Sequence, residues 1–186
     1  MDENLSLRSR IERIRALVVD VDGTMTDGGM YYLEGGGEAK RFNVRDGIGI
    51  ILLRQAGIRV VLASGERLEL LERRAKRLQV DAAFFGCRNK AEAIEPWLYR
   101  QGIGWQQTAC LGDEINDLPL ACRCGLVLAV QDANPLFLRH AHHVLASRGG
   151  QGAVREAALW LLEYQGRLQT ALQAFLAQIG EPPIQF

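Results

Sequence analysis

Strand-length apolar runs alternate with helix-spaced apolar residues along most of this chain, and that alternation predicts its architecture. Residues 16–21 (ALVVDV) form a β-branched run with little polar interruption, the pattern of a strand buried on both faces. Residues 59–63 (RVVLA), 82–85, 108–111 and 126–130 repeat it, and 144–146 read as a short edge strand. Between them, Leu68, Leu71, Ala75 and Leu78 recur at helical spacing through 67–78, with the charges left for a solvated face. Asp46 can cap a helix that runs to Ala56 and stops at Gly57, and Asn89 can cap one that runs to Gln101. A short helix is predicted over 116–122, a helical turn at Asn134-Pro135, and a longer helix over 153–165.

Residues 30–33 and 39–44 flank Glu34-Gly35-Gly36-Gly37-Glu38, and two β-prone runs around a glycine turn predict a hairpin. Beyond Gly166, Leu168, Leu172, Phe175, Leu176 and Ile179 form an apolar stripe that ends at Gly180 and Pro182-Pro183. That tail helix packs either on its own domain or on a neighbouring subunit. Strands alternating with helices predict an α/β fold, a doubly wound parallel sheet with right-handed crossovers. Ligands of such sheets bind beyond the carboxyl ends of the strands, near the switch in strand order. The loops after Val21, Ala63, Phe85 and Leu111 are therefore where chemistry is expected.

Composition narrows the function classes. The 186 residues suit a single domain over 1–186, with a core of about 15–166 and the tail 167–186. Lys plus Arg number 22 and Asp plus Glu number 22. The balance provides no positive field for nucleic acid or an anionic membrane. No apolar run approaches the ~20 residues of a membrane span. The first fifteen residues are polar with scattered Leu and Ile, unlike a signal peptide. Cys87, Cys110, Cys122 and Cys124 lack the paired C-x-x-C spacing of a zinc site and fit a reducing, cytoplasmic compartment. His140, His142 and His143 lack H-x3-5-H spacing and read as a helix-to-strand junction rather than a metal cluster.

The strand ends carry the candidate chemistry. Asp20-Val21-Asp22-Gly23-Thr24 follows the first strand, and its two carboxylates are costly together unless a cation joins them. Ser64-Gly65 follows the second and Lys90 lies beyond the third. Gly112-Asp113-Glu114-Ile115-Asn116-Asp117 follows the fourth. Hard oxygen ligands suit Mg²⁺, and a phosphate beside it would take Ser64, nearby N–H groups and Lys90. An aspartate could then attack phosphorus in line. Each feature alone has a plain reading: an acidic turn, a serine turn, a surface lysine, a helix cap. Their arrival in order, each at a predicted strand end, makes the chemical reading the better one.

These motifs resemble the four motifs of the haloacid dehalogenase (HAD) superfamily of phosphatases. Residues 20–29 (DVDGTMTDGG), the hairpin, 41–47 (RFNVRDG) and 149–156 (GGQGAVRE) resemble more narrowly the 3-deoxy-D-manno-octulosonate (KDO) 8-phosphate phosphatase family. Its relatives act on 2-keto-3-deoxynononate (KDN) 9-phosphate or form the C-terminal domain of some CMP-sialic acid synthetases. The resemblance covers about 15–166. It implies a HAD-like, Rossmannoid fold and a small phosphorylated sugar acid as partner, in lipopolysaccharide-type metabolism.

The resemblance also implies roles. Asp20 becomes nucleophile and metal ligand. Asp22 becomes general acid, then general base, with its main-chain carbonyl on Mg²⁺. Asp113 completes the ligand set, with Glu114 or Asp117 behind it, while Ser64 and Lys90 hold the phosphate. Asn43, Val44, Arg45, Asp46, Gly47, Ile51 and Arg74 match substrate-contacting positions. No segment is long enough for a cap domain, so the resemblance implies a homotetramer in which the hairpin takes part. Where the family usually reads T-G-R after the second strand, this chain reads Ser64-Gly65-Glu66. Glutamate there resembles the KDN 9-phosphate enzymes and leans the substrate toward nine carbons, whereas Arg77 departs from their lysine. A non-catalytic oligomerisation module and a phospho-receiver domain are the competing classes, and the full acid, hydroxyl, lysine and acid set argues against both.

Overall fold

The computed structural model describes residues 6–183; the first five residues of the polar N-terminal segment and the last three of the tail lie outside them. The chain opens with α1 (Leu7–Glu12), capped by the Ser6 hydroxyl, and enters β1 (Ala16–Asp20). A tight turn over Val21–Met25 leads to the hairpin strands β2 (Tyr31–Tyr32) and β3 (Glu38–Ala39). Then come α2 (Arg45–Gln55), β4 (Arg59–Ser64), α3 (Glu69–Leu78), β5 (Ala82–Phe85) and α4 (Lys90–Arg100). The second half runs β6 (Thr108–Gly112), α5 (Leu118–Ala121), β7 (Leu126–Ala129), α6 (Pro135–Leu138), β8 (His143–Val144), α7 (Ala153–Tyr164) and α8 (Leu168–Gln178).

The six-stranded sheet has the order β5-β4-β1-β6-β7-β8 and every pairing in it is parallel. The order reverses at β1, whose neighbours are β4 and β6. The carboxyl ends of these three strands therefore share one crevice. Residues of β1, β6 and β7 are buried throughout, as strands covered by helices on both faces must be. The doubly wound α/β architecture expected from the alternating pattern is the one observed.

The crossing of α2 and α7 shows how the scaffold is tied. A Cβ on Gly49 would stand 2.6 Å from the Arg155 Cα, so only glycine lets the two helix backbones approach this closely. Gly152, at the N-cap of α7, has no side chain to accept that helix's first N–H groups. Asp46 supplies the acceptor instead: the Arg155 N–H donates to its Oδ1 at 3.2 Å. This corrects one expectation: Asp46 lies inside the first turn of α2 rather than capping it. Its carboxylate is fully buried, facing α7.

Burial raises the Asp46 carboxyl from 3.8 to about 6, against the opposing hydrogen bonds of Arg155 and Val154 and the charge of Arg74. Its folded-state value therefore lies above the unfolded one. The stability contributed is complete below the unfolded value and lost as pH rises through about 6. A shift of that size corresponds to about 3 kcal/mol. Asp46→Asn keeps an acceptor for Arg155 but cannot ionise. The variant should gain stability over wild type as pH rises from about 4 to 7, read by denaturant unfolding across that range. A constant difference would show that Asp46 does not titrate there.

Other expectations fare variously. The hairpin strands are two residues each rather than four and six, with a further isolated bridge between Thr26 and Phe42. Asn89 caps α4 as read, accepting from the Glu92 N–H at 3.3 Å. The helix expected at 116–122 divides into a short 3₁₀ turn, Ile115–Asp117, followed by α5. The tail packs on its own chain. Leu168, Leu172 and Phe175 lie against the core, Gln55 donates to Gln178 at 2.6 Å, and Arg167 donates to the Ala56 carbonyl. His142 Nδ1 accepts from the Val127 N–H at 3.0 Å and His143 stacks on Trp160, so both serve the junction. All four cysteines are free. No helix of the described residues is long and apolar enough to cross a membrane.

Candidate active site

The crevice at the switch point collects the expected acidic residues. Asp20 ends β1 and is almost wholly buried. Lys90 opens α4, and its buried ammonium donates to Asp20 Oδ1 and, at 2.5 Å, to Asp117 Oδ1. Burial opposes the lysine's charge, but the two carboxylates outweigh it and hold its pKa above the ordinary value. Asp113 follows β6. Thr24 Oγ1 donates to its Oδ1 at 3.0 Å, and its main-chain N–H donates to Asp117 Oδ2 at 3.3 Å. Gly23 sits at φ +91°, a conformation open to glycine, and a Cβ there would run into the Asp113 carboxylate.

Oxygens of Asp20, Asp113 and Asp117 lie within 4.8 Å of one another. Burial, then the neighbouring Asp117 charge, raises the Asp20 carboxyl well above its usual range and lifts Asp113 to about 6. One lysine does not balance three carboxylates. Asp20 Oδ2 is buried without a hydrogen-bond partner, and an orphaned buried oxygen requires an explanation. A hard divalent cation supplies one, because it would meet that oxygen and offset the excess charge. The residues present therefore fit Mg²⁺. Both Asp117 oxygens are already engaged by Lys90 and Asp113, which suits a supporting place behind the ligands.

Asp22 stands apart from this cluster. Its Oδ2 accepts from the Ser64 hydroxyl at 2.7 Å, and its Oδ1 accepts from the ammonium of Lys40. Ser64 Oγ in turn accepts from the Glu66 N–H at 2.9 Å. Lys40 escaped the sequence reading because nothing in the residues that leave a hairpin announces which side chain turns inward. Asn134 escaped it as well. Its N–H donates to the Asp113 carbonyl and its Nδ2 to Glu114 Oε1, each at 2.7 Å, fixing the loop after β6. Glu114 is thereby occupied with the loop, where it also accepts from the Ile115 N–H.

The remaining expected residues lie along α2 and α3. Asn43 Nδ2 donates to the Gly150 carbonyl at 3.3 Å, and Arg45 lies against Gly152. Arg74 donates to the Asn43 carbonyl at 3.0 Å, with its guanidinium over the Phe42 ring. Arg74 borders two cavities. One, of about 450 Å³, is walled by Lys40, Arg73, Arg74 and Arg77 with a single carboxylate, Glu38. The other, of about 180 Å³, is bordered by Val44, Gly47 and Ile51 together with Arg74 and Arg77. Between Met25 and α2 stands only the short hairpin, and between β4 and β5 only α3. Neither interval holds a cap domain.

Carboxylates, hydroxyl and lysine set at these strand ends, under no cap, define a phosphatase of the HAD-like hydrolases. The family model for haloacid dehalogenase-like hydrolases matches residues 88–156. The KDO 8-phosphate phosphatase KdsC of Haemophilus influenzae is 37% identical over 176 residues, covering 93% of this chain and 97% of that protein. The chain belongs to the KDO 8-phosphate phosphatase family. The structure of that phosphatase from Yersinia pestis is 41% identical, with a TM-score of 0.84 over 87% of this chain and 88% of that one. The Moraxella catarrhalis phosphatase is 29% identical, with a TM-score of 0.85 over 96% and 99%. Its structure is a complex with a magnesium ion, a phosphate ion and KDO.

Proposed function

We propose that this chain, as a single catalytic domain, hydrolyses a 2-keto-3-deoxy sugar-acid phosphate of the KDO 8-phosphate type. The reaction is Mg²⁺-dependent and passes through a phosphoaspartate on Asp20. The observation that carries the reading is the unpartnered buried Oδ2 of Asp20 beside Asp113, in a family whose named members are KDO 8-phosphate phosphatases. Bound Mg²⁺, held by Asp20, the Asp22 main-chain carbonyl and Asp113, would offset repulsion between the carboxylate and the phosphoryl oxygens.

The chain's own residues do the rest. Ser64 turns its hydroxyl from Asp22 to the phosphate, and the Lys90 ammonium holds a second phosphoryl oxygen. Asp20 attacks phosphorus, and the bond to the sugar oxygen breaks as Asp22 gives that oxygen its proton. Asp22 then takes a proton from water as it attacks phosphorus. The acyl-phosphate P–O bond breaks, releasing inorganic phosphate and restoring Asp20. Arg73, Arg74 and Arg77 in the cavity beside Lys40 suit the sugar-acid carboxylate, since arginine grips a carboxylate with parallel N–H bonds, whereas the Lys40 ammonium is already paired with Asp22.

Glu66 favours a second reading, a nine-carbon substrate. Its exposed carboxylate sits beside Ser64, where it would repel a carboxylate but accept from the hydroxyls of a longer polyol chain. The test is kcat/KM for KDO 8-phosphate and KDN 9-phosphate in wild type and Glu66→Arg. The names of the relatives favour the eight-carbon substrate. A wild-type preference for nine carbons that the arginine variant reverses would make Glu66 the specificity residue. A ratio unchanged by the variant would remove it from that role.

The protein is further read as cytoplasmic, in keeping with its free cysteines, and as a homotetramer. Met30, Tyr31, Tyr32 and Leu33 are exposed on a hairpin two residue pairs long. Such a hairpin is marginal alone in water. Light scattering at micromolar concentration should report four copies, and a monomer would contradict this.

A further inference from the structure

Lys40 has no part in the reaction as described, yet its side chain is only 2% exposed and its ammonium is paired with Asp22. Its neighbours on the hairpin differ. Tyr31, Tyr32 and Leu33 are exposed, and so is the glycine turn that follows. A hairpin that buries one lysine stem and sends the charge to a catalytic-loop carboxylate spends desolvation free energy on that contact. Resting on the phosphatase reading above, we infer that Lys40 is a positioning residue: it holds the Asp22 carboxylate in line with the leaving oxygen.

Asp22 has two side-chain partners. One oxygen accepts from Ser64 and the other from Lys40. When Ser64 turns to the phosphate, Asp22 loses that partner, and Lys40 remains as its side-chain hold. A carboxylate on two rotatable bonds then owes its aim to one ammonium. Loss of such alignment costs up to about 100-fold in rate without weakening binding. Lys40 also walls the cavity lined by Arg73, Arg74 and Arg77. The hairpin thus borders the cavity proposed for the sugar acid, while the Lys40 ammonium itself is turned to Asp22.

The experiment compares wild type, Lys40→Met and Lys40→Arg on the better of the two sugar-acid phosphates and on p-nitrophenyl phosphate, whose leaving group needs no proton. Lys40→Met should lower kcat on the sugar-acid phosphate about 10- to 100-fold with KM little changed. Its loss in the first step with the aryl phosphate, read as nitrophenolate release by rapid mixing, should be much smaller, and Lys40→Arg should recover part of the rate on the sugar-acid phosphate. In an Asp22→Asn background, Lys40→Met should cost little more, because a residue that acts through Asp22 has nothing left to aim. Light scattering of each variant should match wild type.

An equal loss on the sugar-acid phosphate and in that first step with the aryl phosphate, a raised KM with kcat intact, or full additivity with Asp22→Asn would overturn the inference while leaving the phosphatase reading standing. Wild type releasing no phosphate from either substrate would overturn both.

Discussion

Asp20→Asn is expected to abolish phosphate release, by at least about 10⁴-fold in kcat, while leaving the fold intact. The amide keeps the shape of the carboxylate but is a poor nucleophile. Lys90 retains Asp117 as a partner at 2.5 Å, so its buried charge is not stranded. Repulsion among the crowded carboxylates is relieved, since burial and Asp117 already push Asp20 toward its neutral form. Circular dichroism of the variant should therefore match wild type, making the loss chemical. Acid quenching of wild type during turnover, followed by borohydride reduction, should convert phosphorylated Asp20 to homoserine. Homoserine at any other position, or substantial turnover by the variant, would remove Asp20 from the nucleophile's role.

Asp22→Asn is the second large effect. Its carboxylate lies outside the Asp20, Asp113 and Asp117 group and is held by Ser64 and Lys40. It is thus free of Lys90 and available for proton transfer. The variant should lose about 10²- to 10⁴-fold on a sugar-acid phosphate, whose alkoxide must be protonated to leave. It should lose far less in the first step with p-nitrophenyl phosphate. Rapid-mixing measurements of nitrophenolate release isolate that step from hydrolysis of the intermediate. Equal losses on both substrates in that step would place Asp22 outside acid catalysis.

Much of this site was legible in the chain because its signals are local. The apolar runs that became β1, β4 and β6 are continuous in sequence, and Asp20, Ser64 and Asp113 stand at or just past their carboxyl ends. Lys90 lies farther on, opening α4 beyond β5, where the Asn89 cap marks the start of the helix. What escaped depends on partners distant in sequence. The acceptor role of Asp46 is decided by Arg155, which meets it only because Gly49 lets α2 and α7 touch. The inward turn of Lys40 depends on where the hairpin docks, and Asn134 gains its role by facing the loop after β6. The helix α1 was missed for another reason. It has six residues, and Ile11 alone of them is buried, too little for an apolar period to show.

Hydrolysis of a phosphate monoester with Mg²⁺ in this crevice is tested most directly by inorganic phosphate released from KDO 8-phosphate by the purified wild-type protein, with Mg²⁺ and after its removal by chelation. Release that is rapid with Mg²⁺, absent in chelator and restored when the ion is returned is the predicted result. No release with Mg²⁺ present, or release indifferent to chelation, would contradict it.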